Sequence, residues 1–214
     1  MNRDLSNLRV SYKKDELLVK NMASNPIEQF SSWYAKAESD DAIKEPNAVT
    51  LSTLGVDGFA KSRIVLLKSF DQNGFVFYTN YKSEKGKSIE QHNQVGLSFF
   101  WPSLERQVII TGIAQKLEAA VSDTYFSSRP KDSQLGALVS DQSTVIPDRT
   151  YLEEHMNALK AKYADSAIAR PDHWGGFLVQ PYTVEFWQGR PNRLHDRIRY
   201  RIKEQEWIKE RLAP

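Results

Sequence analysis

Residues 48–80 read AVTLSTLGVDGFAKSRIVLLKSFDQNGFVFYTN, and the pattern in this stretch decides the fold class. Residues 49–54, VTLSTL, alternate apolar with small polar side chains, the period of a half-buried strand. Val56-Asp57-Gly58 supplies a turn, and Ser62 to Lys68 forms the next strand, apolar at its centre and cationic near both ends. Asp71-Gln72-Asn73-Gly74 is a hairpin signal, because Asn-Gly tolerates the positive φ angles of a type I′ turn. Phe75 to Asn80 is the return strand. Three strands joined by short turns make an antiparallel meander.

Outward from this stretch the same logic continues. Val95–Trp101 and Arg106–Leu117 are two further strands with Pro102-Ser103 between them, and a short helix is predicted over Ser83–His92. Upstream, Asn25-Pro26 reads as an N-cap followed by proline in the first helical turn, and Ile27, Phe30, Trp33, Tyr34 and Ala37 follow at helical spacing to about Ser39-Asp40. Downstream, helices are predicted over Ala119–Ser127, Ser133–Val139 and Tyr151–Tyr163, with Leu152, Met156, Leu159 and Tyr163 on one face of the last. Strand signals return as two segments, Gly176–Val179 and Thr183–Trp187. In the tail, Ile198 to Leu212, alternating β-branched and aromatic residues favour a hairpin over a basic helix. The layout is one α+β domain over residues 25–214, with a meander long enough to favour a closed barrel. Residues 1–24 carry scattered charge and few apolar anchors and are expected to form a mobile arm, in which Arg9 and Tyr12 alone suit a ligand.

The chain has 214 residues, enough for one sizeable core, and a formal net charge of +2, which gives no global argument for nucleic acid. There is no cysteine, so no disulfide, thiolate metal site or cysteine nucleophile is available. The polar N-terminal stretch and the lack of a long apolar run lead to the expectation of a cytoplasmic protein without membrane spans. No GxGxxG, GxxxxGK[ST] or GxSxG occurs, and the four histidines lack metal-ligand spacing, so no metal is expected.

If a phosphate is bound, side chains must therefore hold it, and three clusters qualify. Arg63 and Lys68, five positions apart on one strand, point to opposite faces unless a bulge intervenes. Ser127–Ser133 places Arg129 and Ser133 at a helix start, with Tyr125 one helical turn earlier. Glu185–Arg201 packs five arginines and His195 against one further acid, Asp196. Each cluster is also compatible with a solvated surface.

Six runs occur in a recognisable order: RIVLLK (63–68), FYTN (77–80), ERQV (105–108), YFSSRPKDSQ (125–134), WGGF (174–177) and EFWQG (185–189) with RLHDR (193–197). Together they resemble the pyridoxine (pyridoxamine) 5′-phosphate oxidase family, from about Arg9 to the C-terminus. The resemblance implies an α+β, split β-barrel FMN-binding fold, with an antiparallel six-to-eight-stranded barrel and flanking helices. It also implies a homodimer with FMN at the subunit interface. FMN would be held by Arg63, Ile64, Val65, Leu66, Leu67, Lys68, Tyr78, Thr79, Lys85, Gln107, Gln142, Ser143, Trp187 and Arg197. The phosphate of the substrate, pyridoxine 5′-phosphate or pyridoxamine 5′-phosphate, would be gripped by Lys68, Tyr125, Arg129 and Ser133. Arg193 and His195 would lie over the pyridine ring as catalytic residues, with Arg9 and Tyr12 in a lid and O2 as the electron acceptor. Glu84 departs from the arginine that many members carry beside the flavin phosphate. Two other readings stay open at this point: a split-barrel flavoenzyme with another substrate, and a non-catalytic module binding pyridoxal phosphate or RNA.

Overall fold

The computed structural model describes residues 3–214; the first two residues of the expected arm lie outside it. The helix predicted after Asn25 is α1, Pro26–Glu38, and the Asn25 side chain accepts the N–H of Ile27, supplying the N-cap. The meander is β1, Ala48–Leu54; β2, Ala60–Asp71; and β3, Gly74–Asn80. Then follow α2, Glu84–Gln91; β4, Gln94–Trp101; β5, Arg106–Lys116; and the helices α3, Ala119–Ser128, α4, Lys131–Val139, and α5, Arg149–Lys162. The chain closes with β6, Trp174–Gln188; β7, Asp196–Lys203; and β8, Glu206–Leu212. The strand order is β3-β2-β1-β4-β5-β6-β7-β8, and a further β3–β6 pairing closes the first six into a barrel. The expected antiparallel barrel with flanking helices is thus observed, and the tail is a hairpin.

Two local expectations need correcting. The two strand segments after residue 174 are one strand. Pro181 lies between Val179, which pairs with Phe75 of β3, and Thr183, which pairs with Arg201 of β7. Its missing N–H therefore falls where β6 changes partner, and no rung on that edge is lost. The type I′ turn is also elsewhere. In the β2–β3 hairpin Asp71 pairs with Gly74, so Gly74 begins the strand rather than completing the turn. The Asp71 carboxylate accepts the Asn73 N–H at 2.8 Å, and the positive angle falls on Gly74, at φ 140°. A Cβ there would collide with the Val179 carbonyl, so glycine lets β3 close against β6. Positive φ at two successive turn residues occurs instead at Glu204 (53°) and Gln205 (71°), between β7 and β8.

Contact density divides the chain into two compact units, each with its own core. One comprises residues up to Val49, Leu97–Thr111 and Tyr182–Pro214. Its core is aromatic: Phe30 packs on Phe99 and Trp101, Trp33 on Phe186, and Phe186 on Tyr200. The other comprises Thr50–Gly96 and Gly112–Pro181. There Phe126, Leu135, Ile168 and Trp174 form a buried cluster covered by Met156, Leu159 and Tyr163 of α5 and its end. No described helix is long and apolar enough to cross a membrane.

Candidate functional site

In the second unit a cavity of about 620 Å³ opens between β2, β3 and the α3–α4 junction. The strand β2 supplies Ile64, Val65, Leu66 and Lys68 to its wall, and β3 supplies Tyr78, Thr79 and Asn80. The register of β2 against β3 slips between Leu67 and Ser69, so Lys68 is a bulged residue. Bulges re-aim side chains. Here the bulge falls on Lys68 itself. Leu67 turns inward and is buried at 5% exposure, while Arg63 lies off the cavity wall, its Nη1 donating to Thr53 Oγ1 at 2.7 Å and to the Lys61 carbonyl at 3.0 Å.

Tyr125, Arg129, Pro130, Ser133, Gly136 and Ala137 form the helical wall. Tyr78 and Tyr125 stack with ring centroids 3.9 Å apart, and both rings lie near-parallel to Trp174. The Arg129 guanidinium sits over the Trp174 ring, 4.5 Å from its centroid. Its Nη1 is buried and has no hydrogen-bond partner. Burial holds the Arg129 pKa below its ordinary value, with Tyr125 opposing the shift. An unpaired buried donor is a cost to the fold, which a hydrogen-bond acceptor in the cavity would offset.

Lys85 enters the cavity from the first turn of α2, whose N-cap is Ser83. Its ammonium donates to Gln142 Oε1 at 2.8 Å, and Gln142 also lines the cavity. Burial lowers the Lys85 pKa, and the nearby Arg63 lowers it further, while Glu84 opposes them. Ser143, at φ 74°, accepts the Glu84 N–H at 3.2 Å. Glu84 itself pairs with Lys61, which also meets Asp57 at 2.7 Å.

In the first unit a second group forms around Trp187. The Trp187 and His195 rings lie 4.5 Å apart, and Tyr12 meets them at 5.8 Å and 5.9 Å. Gly189 makes room for this, since a Cβ there would come within 2.7 Å of the Tyr12 ring. His195 Nδ1 accepts the Arg190 N–H at 3.1 Å, so the proton of the neutral ring belongs on Nε2. Burial lowers the His195 pKa below 6.5, and Arg193 lowers it further. Arg193 and Asn192 both adopt positive φ, 62° and 57°. Arg197 is gripped by Glu185 in a two-pronged pair at 2.7 Å and 3.1 Å and donates to the Ala213 carbonyl at 2.8 Å. Gln107 donates to Ser98 Oγ at 3.0 Å. Arg9 is exposed, and its Nε donates to the Ser6 carbonyl at 3.2 Å.

Of the residues singled out in the sequence, the cavity gathers Ile64, Val65, Leu66, Lys68, Tyr78, Thr79, Lys85, Tyr125, Arg129, Ser133 and Gln142. Trp187, His195 and Tyr12 come together separately, and Arg9 joins neither group. In the sequence the runs WGGF and ERQV give no site role to Trp174, which carries Arg129, or to Glu105 and Arg106, which with the unremarked Asp15 pin the chain beside Tyr12. Asp15 donates nothing to a periodic pattern, yet its Oδ2 accepts from Arg106 Nη2 at 2.6 Å. The only available signal was an acid facing a lone arginine at the start of a strand. Among the described residues, no group of three His, Asp or Glu is placed to hold a metal ion.

The family model described as pyridoxamine 5′-phosphate oxidase matches residues 35–163, and that of the pyridoxine 5′-phosphate oxidase C-terminal dimerisation region matches residues 174–214. A pyridoxine/pyridoxamine 5′-phosphate oxidase of Flavobacterium johnsoniae is 57% identical over 211 residues, covering 98% of this chain and 99% of the relative. Among solved structures, PhzG from Burkholderia lata 383, in complex with tetrahydrophenazine-1-carboxylic acid, superposes with a TM-score of 0.86 at 30% identity, covering 94% of this chain and 98% of that one. A pyridoxamine 5′-phosphate oxidase-related, FMN binding protein from Nostoc punctiforme shares the fold, with a TM-score of 0.69 at 16% identity, covering 90% of this chain and 100% of that one. A barrel closed by β3 and β6, a cationic cavity on its β2–β3 face and two family models spanning most of the sequence agree: the chain belongs to the pyridoxine/pyridoxamine 5′-phosphate oxidase family.

Proposed function

We propose that this chain is an FMN-dependent oxidase that converts pyridoxine 5′-phosphate or pyridoxamine 5′-phosphate to pyridoxal 5′-phosphate, with O2 as acceptor and H2O2 as product. The observation that carries this reading is the buried, unpartnered Nη1 of Arg129 in a cavity that also presents Lys68, Ser133 and Tyr125. Those four groups bind the substrate phosphate. Its binding energy, remote from the reacting C4′ carbon, orients that carbon.

The residues also fit a flavin mononucleotide. Two separate cationic centres, one at Arg129 and one at Lys85 with Arg63, match two phosphates, and each has a pKa lowered by burial that an anion would restore. Lys85, Gln142 and Ser143 would hold the flavin phosphate, with Arg63 adding positive charge beside Lys85. Ile64–Lys68, Tyr78, Thr79, Gln107, Trp187 and Arg197 would hold the remainder of FMN. When bound, FMN supplies the hydride-accepting and O2-reducing centre.

Arg193 and His195 act on the pyridine ring. Because Nδ1 of His195 already accepts the Arg190 N–H, the neutral imidazole offers an N–H at Nε2. His195 therefore holds its own proton at Nε2 and orients the ring by donating a hydrogen bond, while the hydroxyl proton of the substrate passes to water. Arg193, beside His195, helps to fix the ring in place for the transfer. Tyr12 and Arg9 close over the substrate as part of an arm over residues 1–24, with residues 25–214 as the flavin-binding domain. The working form is a homodimer with FMN at the subunit interface.

Flavin fluorescence tests this directly. FMN added to the protein should be quenched with saturation at one FMN per chain, and Lys85→Met should weaken that binding by about tenfold, the usual loss for a charge-assisted contact. A protein that leaves FMN fluorescence unquenched would overturn the reading.

A further inference from the structure

Glu105 has no task in the reaction described above, yet it is held in an unusual way. It is 9% exposed and adopts φ 54°, immediately before β5. Its carboxylate Oε2 accepts two consecutive backbone N–H groups, from Lys13 at 2.8 Å and Lys14 at 2.9 Å. Its own carbonyl accepts the Gly189 N–H at 2.8 Å and the Gln188 side-chain amide at 3.3 Å. One residue thus grips the segment that follows Tyr12 with its side chain, and the segment that follows Trp187 with its backbone.

Arg106 repeats the connection. Its Nε donates to Gln188 Oε1 at 2.9 Å, and its Nη2 to Asp15 Oδ2 at 2.6 Å. Tyr12, which contacts Trp187 and His195, immediately precedes the tied residues Lys13 to Asp15, and Trp187 immediately precedes the tied Gln188. A left-handed conformation in a non-glycine residue persists only where the surroundings enforce it, and such positions gather at functional sites. The carboxylate-to-amide bonds are charge-assisted. Lys13 and Lys14 are exposed, so water can replace the carboxylate on their N–H groups. Loss of the Glu105 carboxylate should therefore loosen residues 13 and 14 while the ties at Asp15 and Leu17 and the core stay in place.

We infer that Glu105 is a positioning residue: its carboxylate fixes Lys13 and Lys14 and thereby holds Tyr12 against Trp187 and His195 before any ligand arrives. This rests on the oxidase reading of Tyr12 and His195, and the test separates the two. The full FMN-loaded chain is compared with Glu105→Ala and Glu105→Gln by amide hydrogen exchange over residues 12–17 and by steady-state kinetics with pyridoxine 5′-phosphate. In Glu105→Ala, exchange at Lys13 and Lys14 should accelerate at least about tenfold, as local opening becomes easy. KM should rise about tenfold with a smaller change in kcat, the sign of lost binding rather than lost chemistry. Glu105→Gln, whose amide oxygen still accepts both N–H groups, should recover both readouts to within about threefold. Lys14→Pro, which deletes one donor on the exposed arm without touching the core, should accelerate exchange at Lys13 and raise KM, and it serves if Glu105→Ala does not fold. Unchanged exchange in Glu105→Ala, or equal loss in the Gln and Ala variants, overturns the positioning role. A wild-type protein without turnover overturns the oxidase reading beneath it.

Discussion

The Arg129 guanidinium lies 4.5 Å above the Trp174 ring, with Nη1 buried and unpaired. The ring meets the cation from one face, and the remaining donor is the one the proposed substrate phosphate would satisfy. Arg129→Met keeps the aliphatic packing on Trp174 and removes the buried charge. We expect KM for the phosphorylated substrate to rise by at least about tenfold, the cost of one charge-assisted hydrogen bond. Thermal stability of the ligand-free variant should equal or exceed that of the wild type, because an unsatisfied buried donor costs about 1–3 kcal/mol. A large fall in Tm would show that Arg129 is structural.

The His195 pKa is lowered first by burial and then by Arg193. The neutral imidazole is therefore the form present across neutral pH, and it contributes stability above the ordinary value of 6.5 that is lost as the pH falls through the lower folded value. The acid limb of the kcat/KM profile should lie below pH 6.5 and move upward in Arg193→Gln, while Arg193→Lys, which keeps the charge, should leave it in place. A limb unmoved by Arg193→Gln would remove this coupling.

Glu84 places a carboxylate beside Arg63 and Lys85 and is itself tied to Lys61. In a cradle for a flavin phosphate that carboxylate opposes binding. Glu84→Gln should tighten FMN binding by about threefold at low salt, a modest effect because the group is nearly half exposed and screened. Isothermal titration at two salt concentrations reads this. Weaker binding in the variant would mean that Glu84 orients the cradle instead of opposing it.

The β7–β8 turn uses Glu204 and Gln205 at φ 53° and 71°, angles that Asn and Gly adopt with least strain. The double variant Glu204→Asn with Gln205→Gly should stabilise the fold by about 1 kcal/mol, read as a raised Tm. An unchanged or lower Tm would show that the pair makes contacts that offset the strain.

How far the sequence carried each part follows from the range of the interactions involved. The Asn25-Pro26 cap, the antiparallel meander and the tail hairpin were legible because each rests on neighbours in the chain. The single strand through Pro181 was not, because only the exchange of partners from β3 to β7 makes proline harmless there. The Asn-Gly signal gave the right hairpin and the wrong turn, since Val179 across the barrel requires glycine at 74 within the strand. The cavity residues were legible through runs shared with a family, and the cavity gathers most of them. Arg63 points to Thr53 instead, which strand alternation allowed. The Glu105 anchor was invisible because its partners lie 92 and 91 positions away. The Trp174 platform under Arg129 was hidden likewise, since a strand tryptophan carries no mark of the cation it will meet.

The central claim is tested most directly by following O2 consumption and H2O2 formation by the FMN-loaded protein with pyridoxine 5′-phosphate and with unphosphorylated pyridoxine. The account expects one H2O2 and one pyridoxal 5′-phosphate per O2 with the phosphorylated substrate. It also expects a kcat/KM lower by at least about a hundredfold without the phosphate, because the Arg129 and Lys68 contacts would then be lost. No turnover with the phosphorylated substrate, or equal rates with both, would contradict it.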